Sequence, residues 1–234
     1  MAKSLVHSIR SSNPSNSVRA YARGIIVTLT ACLMAGCSSG GGGDWGVLYD
    51  AVKAEWSGSG TSVRRADAAA IPYATIGVRI GDGPEGILIL VADTARKRLW
   101  ASSAHVAITT RDGRIIRTAG TPHDIAGYTM LDPAASPDWT KPTTWRWQGD
   151  FPDLNAYSIL VTCHDRPVDR ETVTILGAGI RTLRVDETCS APDIGWVFTN
   201  MYWVSPTDGT VWQSVQHVHP DMDAIEIRLL RPPA

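Results

Sequence analysis

Several features that would narrow the function quickly are missing from this chain. It has no apolar run of about 20 residues, the length of a bilayer-spanning helix. It has no phosphate-binding loop, dinucleotide fingerprint or zinc signature. Ser102 and Ser214 stand in no Gly-x-Ser-x-Gly elbow. These absences argue against nucleotide chemistry and serine-hydrolase chemistry, and we expect no cofactor and no catalytic residues.

Acidic residues are absent from the first 43 positions. Four basic residues precede an apolar run at residues 25–34, and small residues follow it. A basic start, a short apolar run and a small-residue end are the three parts of a secretory signal. The closing Met34-Ala35-Gly36-Cys37 resembles the lipobox of bacterial lipoproteins, in which the cysteine is acylated and becomes the first mature residue.

The lipobox divides the chain into three parts. Residues 1–36 are predicted to be a lipoprotein signal peptide, residues 37–44 a lipidated Cys37 with a glycine-rich tether, and residues 45–234 a single domain. Because Ser38 rather than aspartate follows the cysteine, the resemblance implies an outer-membrane lipoprotein that faces the periplasm. The alternative is an ordinary secretory signal that is cut nearby, with Cys37 an incidental thiol.

Charge and cysteine content indicate which partners and which cross-link to expect in the mature chain. Four of the 22 basic residues lie in the signal, so 18 basic and 23 acidic residues give the remainder a net charge of −5. An acidic body argues against nucleic acid as a partner. Cys163 and Cys189 are the two cysteines left after Cys37, and in an oxidising compartment they predict a disulfide. A metal site built on these two cysteines is the weaker alternative.

Hydrophobic periodicity predicts one helix followed by many strands. Apolar residues at three-and-four spacing predict a short helix over Asp44 to Trp56. Alternating or continuous apolar segments then predict short strands separated by turn residues, among them the Arg111-Asp112-Gly113 hairpin signal. These strands are at residues 74–80, 86–92, 96–102, 105–110, 114–118, 144–148, 157–163, 172–176, 180–187, 195–205, 210–217 and 224–230. The fold class is therefore all-β, an antiparallel sandwich or barrel-like domain with one short N-terminal helix.

Several segments, in their order and spacing, resemble the YjbF/GfcB family of group 4 capsule and exopolysaccharide lipoproteins. They are Ile71–Ala74, Leu99–Ser102, Gly113–Gly120 with Asp124–Ile125, Asn200–Val204, and Val211–Gln216 with Pro220. The resemblance runs from about Tyr73 to Leu230 and agrees with the lipobox. It implies an accessory protein for polysaccharide export or assembly, with other export proteins as partners. It supplies no catalytic residues.

Tryptophan is abundant, with nine residues against two phenylalanines. An indole ring stacks on the C–H face of a sugar and donates one hydrogen bond, which suits a glycan. Trp139, Trp145 and Trp147 lie in or beside the polar stretch at residues 131–150, and Trp145 and Trp147 share a strand face. We predict that these three form an exposed glycan-binding platform, and the alternative is a packed lid over the edge of the sheet.

Histidines and acids give weaker predictions. His217 and His219 are two apart and could bind one metal ion, but a third ligand would have to come from His105, His123 or His164. The alternative is a polar strand end. Arg114 and Arg117 could meet an acidic polymer, although a solvated strand face is the simpler interpretation. Acids such as Asp186-Glu187 and Asp150 with Asp153 have no spacing that singles them out as a catalytic pair.

The favoured function is a non-catalytic, outer-membrane-anchored lipoprotein that assists exopolysaccharide or capsule secretion. Its lipid binds the membrane, and polysaccharide itself is a possible ligand. Two alternatives stay open: a periplasmic polysaccharide-modifying hydrolase that uses the C-terminal histidines and acids, and a structural lipoprotein that braces an envelope complex.

Overall fold

A computed structural model describes residues 65–94, 96–132 and 137–233. Within these ranges lie one helix, α1 (Arg65–Ala70), two 3-10 turns at Pro152–Leu154 and Pro192–Ile194, and twelve strands. The strands are β1 (Thr75–Ile80), β2 (Gly86–Thr94), β3 (Lys97–Ala101), β4 (Ala107–Arg111), β5 (Arg114–Ala119), β6 (Gly127–Met130), β7 (Thr143–Phe151), β8 (Ala156–Ile175), β9 (Ala178–Ala191), β10 (Trp196–Val204), β11 (Val211–Gln216) and β12 (Ile225–Arg231). Within this part of the chain, no helix has the length and apolar character needed to cross a membrane.

All twelve strands belong to one antiparallel sheet in the order β5-β4-β3-β2-β1-β12-β11-β10-β9-β8-β7-β6. The two edge strands, β5 and β6, are held near each other because the connection between them bonds back to β5. The Thr118 amide donates to the Ile125 carbonyl oxygen over 3.3 Å, and the Ile125 amide donates to the Thr118 hydroxyl over 3.0 Å. The sheet is therefore a nearly closed barrel. The prediction of an all-β antiparallel domain is confirmed.

Strand by strand, the sequence prediction differs from the structure in two places. Residues 157–163 and 172–176 belong to one long strand, β8, which continues through Pro167 with a register shift between Pro167 and Arg170. Proline lacks the ladder N–H, which is why it signals a break, but a bulge accommodates it. The four-residue β6 was not predicted. The predicted helix at residues 44–56, like Cys37, lies outside the described residues.

Alternate turns of this meander meet at opposite ends of the barrel. The register places the β2–β3, β4–β5, β6–β7, β8–β9 and β10–β11 connections at one end, which we call the cavity end. The β5–β6, β7–β8, β9–β10 and β11–β12 connections lie at the other, which we call the histidine end. Residues far apart in sequence are brought together at each end.

Three groups of apolar side chains hold the barrel, and the third consists of Trp139, Val185, Tyr202 and Val204. The largest group fills the interior, with Trp145, Trp147, Phe151, Trp196 and Phe198 among its rings. The second group lies at the tip of the β8–β9 hairpin, where Ala68 of α1 and Ile71, just after the helix, cluster with side chains of β2, β8 and β12. Burial of such side chains is worth about 25 cal/mol for each Å² removed from water.

Candidate functional site

The cavity end of the barrel contains an open cavity of about 580 Å³. Its lining comes from the β2–β3, β4–β5 and β10–β11 turns, the loop at residues 137–140, and inward-facing residues of the central strands. This volume lies within the range of about 300–1,000 Å³ typical of small-molecule sites. The cavity is therefore the first candidate for a binding site.

Charged residues at the rim of the cavity are largely paired with one another. Arg96 forms an ion pair with Asp112, with Nε donating to Oδ1 over 2.8 Å, and so links the β2–β3 and β4–β5 turns. Both residues have positive φ angles, 78° and 50°, at which the backbone turns sharply. Arg98 donates to Asp93 over 3.1 Å across the β2–β3 hairpin. These pairs fix the turns that frame the opening.

A second polar cluster, the Arg114 cluster, lies in the barrel interior beyond the cavity. The Arg114 guanidinium donates to Asp165 Oδ2 over 2.7 Å and to Glu187 Oε2 over 2.8 Å. Its Cζ atom lies 4.3 Å from the centre of the Trp139 ring and 4.5 Å from that of Trp145. Planar guanidinium groups are suited to paired carboxylates and aromatic faces. The prediction of a solvated strand face is therefore wrong for Arg114.

Neighbouring side chains complete the hydrogen bonding of Glu187. The Asn200 amide donates to Oε1 over 2.9 Å, and the Tyr202 hydroxyl donates to the same atom over 3.0 Å. Trp145 Nε1 donates to Asp165 Oδ1 over 3.2 Å. These hydrogen bonds are needed because a buried charge without partners costs several kcal/mol.

Burial and charge set the protonation of the Arg114 cluster. Burial raises the pKa of Asp165 to about 7, opposed by Arg114 and reinforced by Glu187, to which it is hydrogen-bonded. Burial also acts to raise the pKa of Glu187, but the charge of Arg114 and the surrounding hydrogen bonds hold it below its usual value. The proton shared by the two carboxyls therefore resides on Asp165, and Arg114 pairs with an ionised Glu187.

This acid pair has no room for a substrate. Two carboxyls in direct hydrogen-bond contact are closer than the roughly 5 Å or more that separates the acids of a glycoside hydrolase. The cavity beside Glu187 and Tyr202 is about 20 Å³, enough for one water molecule. The arrangement is suited to holding strands together.

At the histidine end, three connections contribute His123, Asp153 and His219. Asp153 Oδ2 lies 2.6 Å from His123 Nδ1, and Oδ1 lies 3.1 Å from His219 Nε2. The two imidazole rings stack with centroids 4.7 Å apart. One potential ligand atom from each residue lies within 4.8 Å of the others, so the three have the composition of a metal site.

The hydrogen bonding of His219 favours a different interpretation. The Asp221 amide donates to His219 Nδ1 over 3.1 Å, so Nδ1 carries a lone pair and Nε2 carries the proton that points at Asp153. A histidine that binds a metal ion through Nε2 normally donates from Nδ1 instead. The three residues therefore form a hydrogen-bonded clasp between the connections, which we call the histidine clasp.

The sequence-predicted histidine pair is not the one that the structure groups. His219 meets His123, one of the third ligands considered, and Asp153. His217 lies beside Phe198, with its backbone amide donating to Asn200, and burial lowers its pKa. Among the described residues, His217 belongs to no group of three potential ligands. The prediction that His217 and His219 share a metal ion is not supported by this placement.

The three tryptophans predicted to form an exposed platform are buried. Trp139, Trp145 and Trp147 are 6%, 6% and 5% exposed, because Trp139 covers Arg114 and the other two face the barrel interior. The prediction of an exposed platform is therefore wrong, and the lid alternative describes Trp139 well. Trp139 also lines the cavity, so a sugar contact remains a prediction for that residue.

Cys163 and Cys189 lie opposite each other in β8 and β9, with Cα atoms 4.1 Å apart, and form a disulfide. Asp165 and Glu187 are the next inward-facing pair of the same two strands. Sequence reasoning missed this acid pair, yet a signal was present. Each acid lies two residues from a cysteine, so the predicted disulfide places both acids on one face, opposite each other.

Comparisons with known proteins agree with this architecture. A curated relative, the "Uncharacterized lipoprotein GfcB" of Escherichia coli (strain K12), is 22% identical over 222 residues, which cover 90% of this chain and 99% of the relative. The crystal structure of the hypothetical lipoprotein YmcC from Escherichia coli (K12) matches with a TM-score of 0.64 and 18% identity, over 74% of this chain and 90% of that one. This structural likeness shows the fold.

A family model covers most of the chain beyond the signal and tether. The model described as "Group 4 capsule polysaccharide lipoprotein gfcB, YjbF" matches residues 46–230, which include nearly every described residue. The chain belongs to this family of group 4 capsule polysaccharide lipoproteins.

Proposed function

We propose that the protein is a non-catalytic lipoprotein, anchored in the outer membrane and facing the periplasm, that assists the secretion or assembly of a capsular or related exopolysaccharide. The observation that carries this proposal is the family match over residues 46–230. The relative GfcB is likewise called a lipoprotein. The lipobox that ends at Cys37 supports the anchor, and Ser38 supports the outer membrane.

The geometry favours a binding role over hydrolysis. The acids of the interior are in contact with each other and enclosed by Trp139, Trp145 and Tyr202. The acids at the mouth of the cavity include Asp93 and Asp112, and each is neutralised by an arginine. A hydrolase needs a free acid and a free base on either side of the bond that is cleaved. The cavity offers space for a ligand without this pair.

The test is deletion of the gene followed by measurement of exported and retained polysaccharide. We expect surface polymer to fall and polymer to accumulate inside the envelope, because an export step is impaired. The wild-type gene should restore export, whereas Cys37→Ser should not, because the body is no longer held at the membrane. The Cys37→Ser protein must be shown to accumulate in the same amount as the wild type.

Other results would identify the alternatives. A hydrolase predicts polymer of altered length or linkage, exported in normal amount. A structural brace predicts an envelope defect that persists in a strain that makes no polysaccharide. Unchanged export with unchanged polymer would contradict the proposal.

A further inference from the structure

The deep wall of the 580 Å³ cavity is aliphatic. Five inward-facing residues of four strands form it: Ile76, Leu183, Val204, Ile227 and Leu229. Burying a sugar hydroxyl against such a wall costs free energy, because the hydroxyl loses its hydrogen bonds to water. Burying methylene groups there gains free energy in proportion to the apolar area removed from water. The depth of the cavity therefore suits a hydrocarbon better than a glycan.

Polar side chains in the wall are already engaged with one another. The Thr110 hydroxyl accepts from Trp100 Nε1 over 3.1 Å, and the Ser214 hydroxyl accepts from Gln216 Nε2 over 2.8 Å. A sugar-binding site instead directs free donors and acceptors at its ligand. Beyond Trp139, which is stacked on Arg114, the interior is filled by the Arg114 cluster and the aromatic core. A polymer cannot thread through this space, whereas one end of a chain can enter it.

Charge at the rim limits the head group of the ligand. Four aspartates and two arginines line the cavity: Asp93, Asp112, Asp138, Asp208, Arg96 and Arg98. Both arginines are paired with aspartates, and Asp138 is paired with Lys141. Arg111 also lies 4.0 Å from Asp112, so with Lys141 and Arg111 counted the charges of the rim balance. Each of these cations already faces an aspartate, so an anionic head meets no cation free to pair with it, and an uncharged or zwitterionic head is accepted.

We infer that the cavity takes the hydrocarbon chain of an amphiphile whose uncharged or zwitterionic head stays at the rim. This inference rests on the binding role proposed above. It names the ligand class of the cavity and does not depend on which polysaccharide is exported.

The test uses the full chain with Cys37→Ser, which carries no acyl group of its own, and a series of alkyl maltosides kept below their critical micelle concentrations. Calorimetry and tryptophan emission report binding, since Trp100 and Trp139 line the cavity. We expect one ligand for each chain and an affinity that rises roughly tenfold for every two methylenes from octyl to dodecyl. Maltose alone should not bind, and dodecyl phosphate should bind about threefold more weakly or worse than dodecyl maltoside.

A matched pair of variants locates the site. Leu183→Trp places a large ring in the cavity wall, and Leu160→Trp makes the same change on the exposed outer face of β8. We expect Leu183→Trp to weaken dodecyl maltoside binding about tenfold or more, and Leu160→Trp to leave it unchanged. Thermal unfolding of both variants checks that the fold is retained. Should Leu183→Trp unfold, Val204→Phe, which adds less volume to the same wall, replaces it.

The head groups distinguish two sources of the chain. Binding of dodecyl maltoside but not dodecylphosphocholine identifies a glycolipid, and equal binding of both identifies a membrane lipid. The inference is overturned by an affinity independent of chain length, by maltose binding as tightly as dodecyl maltoside, or by equal losses in the two tryptophan variants. These outcomes are independent of the export measurement, so a failure of one proposal is distinguishable from a failure of the other.

Discussion

The Arg114 cluster and the histidine clasp are built on opposite plans. In the first, one cation serves two carboxyls; in the second, one carboxylate serves two imidazoles. Their environments also differ, because the Arg114 side chain is 7% exposed whereas that of Asp153 is 39% exposed. Solvent water reaches the partly exposed Asp153 and can replace a lost partner there, whereas the Glu187 side chain is closed off from solvent. The two clusters should therefore differ severalfold in their effect on stability.

The largest effect is expected from Arg114→Met. The substitution removes the cation that holds the pKa of Glu187 down, so Glu187 must stay charged without its partner or take up a proton inside the barrel. Breaking a buried pair in this way costs about 3–5 kcal/mol. Urea unfolding, followed by tryptophan emission, measures the loss. Arg117→Met is the control, since Arg117 lies on the same strand and is exposed, and its effect should stay within about 0.5 kcal/mol. A loss of unfolding free energy for Arg114→Met as small as that for Arg117→Met would show that the cluster contributes little to stability.

The disulfide beside the Arg114 cluster should have the next largest effect. Removing a cross-link between cysteines 26 residues apart is expected to cost about 3–4 kcal/mol in the chain-entropy account. Cys163→Ala together with Cys189→Ala tests this by urea unfolding, with the reductant-treated wild type alongside. Reductant should leave the double variant unchanged. Free thiols in the oxidised wild-type protein, detected by mass spectrometry after alkylation, would contradict the pairing.

The clasp should contribute less. Asp153→Asn removes the carboxylate that accepts from both histidines, and a partly exposed hydrogen-bonded group of this kind is worth about 1–2 kcal/mol. The chain supplies a matched control: Pro192-Asp193-Ile194 repeats the 3-10 turn of Pro152-Asp153-Leu154, and Asp193 is exposed. Asp193→Asn should have almost no effect. A loss as large as that of Arg114→Met would show that exposure does not separate the two clusters.

Most strand positions could be predicted from the sequence because they depend on local pattern. Strand positions follow from alternation of apolar side chains, so eleven of the twelve described strands had predicted counterparts, including the Asp112-Gly113 hairpin. The four-residue β6 offered too few residues for any period to be recognised. Pro167 predicts a break in β8 because proline lacks the N–H that the strand ladder needs. The bulge that accommodates it has no local sequence signal.

Side-chain environments were harder to predict because they depend on closure of the barrel. Arg114 is a solvated residue by local pattern, and only the approach of β8 and β9 supplies its two carboxyls. The tryptophan trio lies beside a polar loop in the sequence, but the Trp139 side chain turns inward and covers Arg114, while Asp138 and Thr140 on either side of it are exposed. His123 and His219 are 96 residues apart, so no local signal pairs them. The two-residue spacing of Cys163 and Asp165 is the exception. It places both side chains on one strand face, so the predicted disulfide could have been used to predict the acid pair.

A different kind of effect is the dependence of stability on pH, which is small for each step of pH. The pKa of Asp165 is about 7 in the folded protein because of burial, against about 4 in the unfolded chain. Between these values the folded protein holds a proton that the unfolded chain has lost, so the free energy of unfolding should fall as pH rises from about 4 to 7 and level off above it. One such group contributes at most about 1.4 kcal/mol for each pH unit. Asp165→Asn should flatten this slope, because an amide does not titrate, whereas the exposed Asp169→Asn on the same strand should leave it unchanged. If the wild type, Asp165→Asn and Asp169→Asn all show the same slope, the shared proton does not reside on Asp165. Glu187 would then no longer be identified as the ionised partner of Arg114.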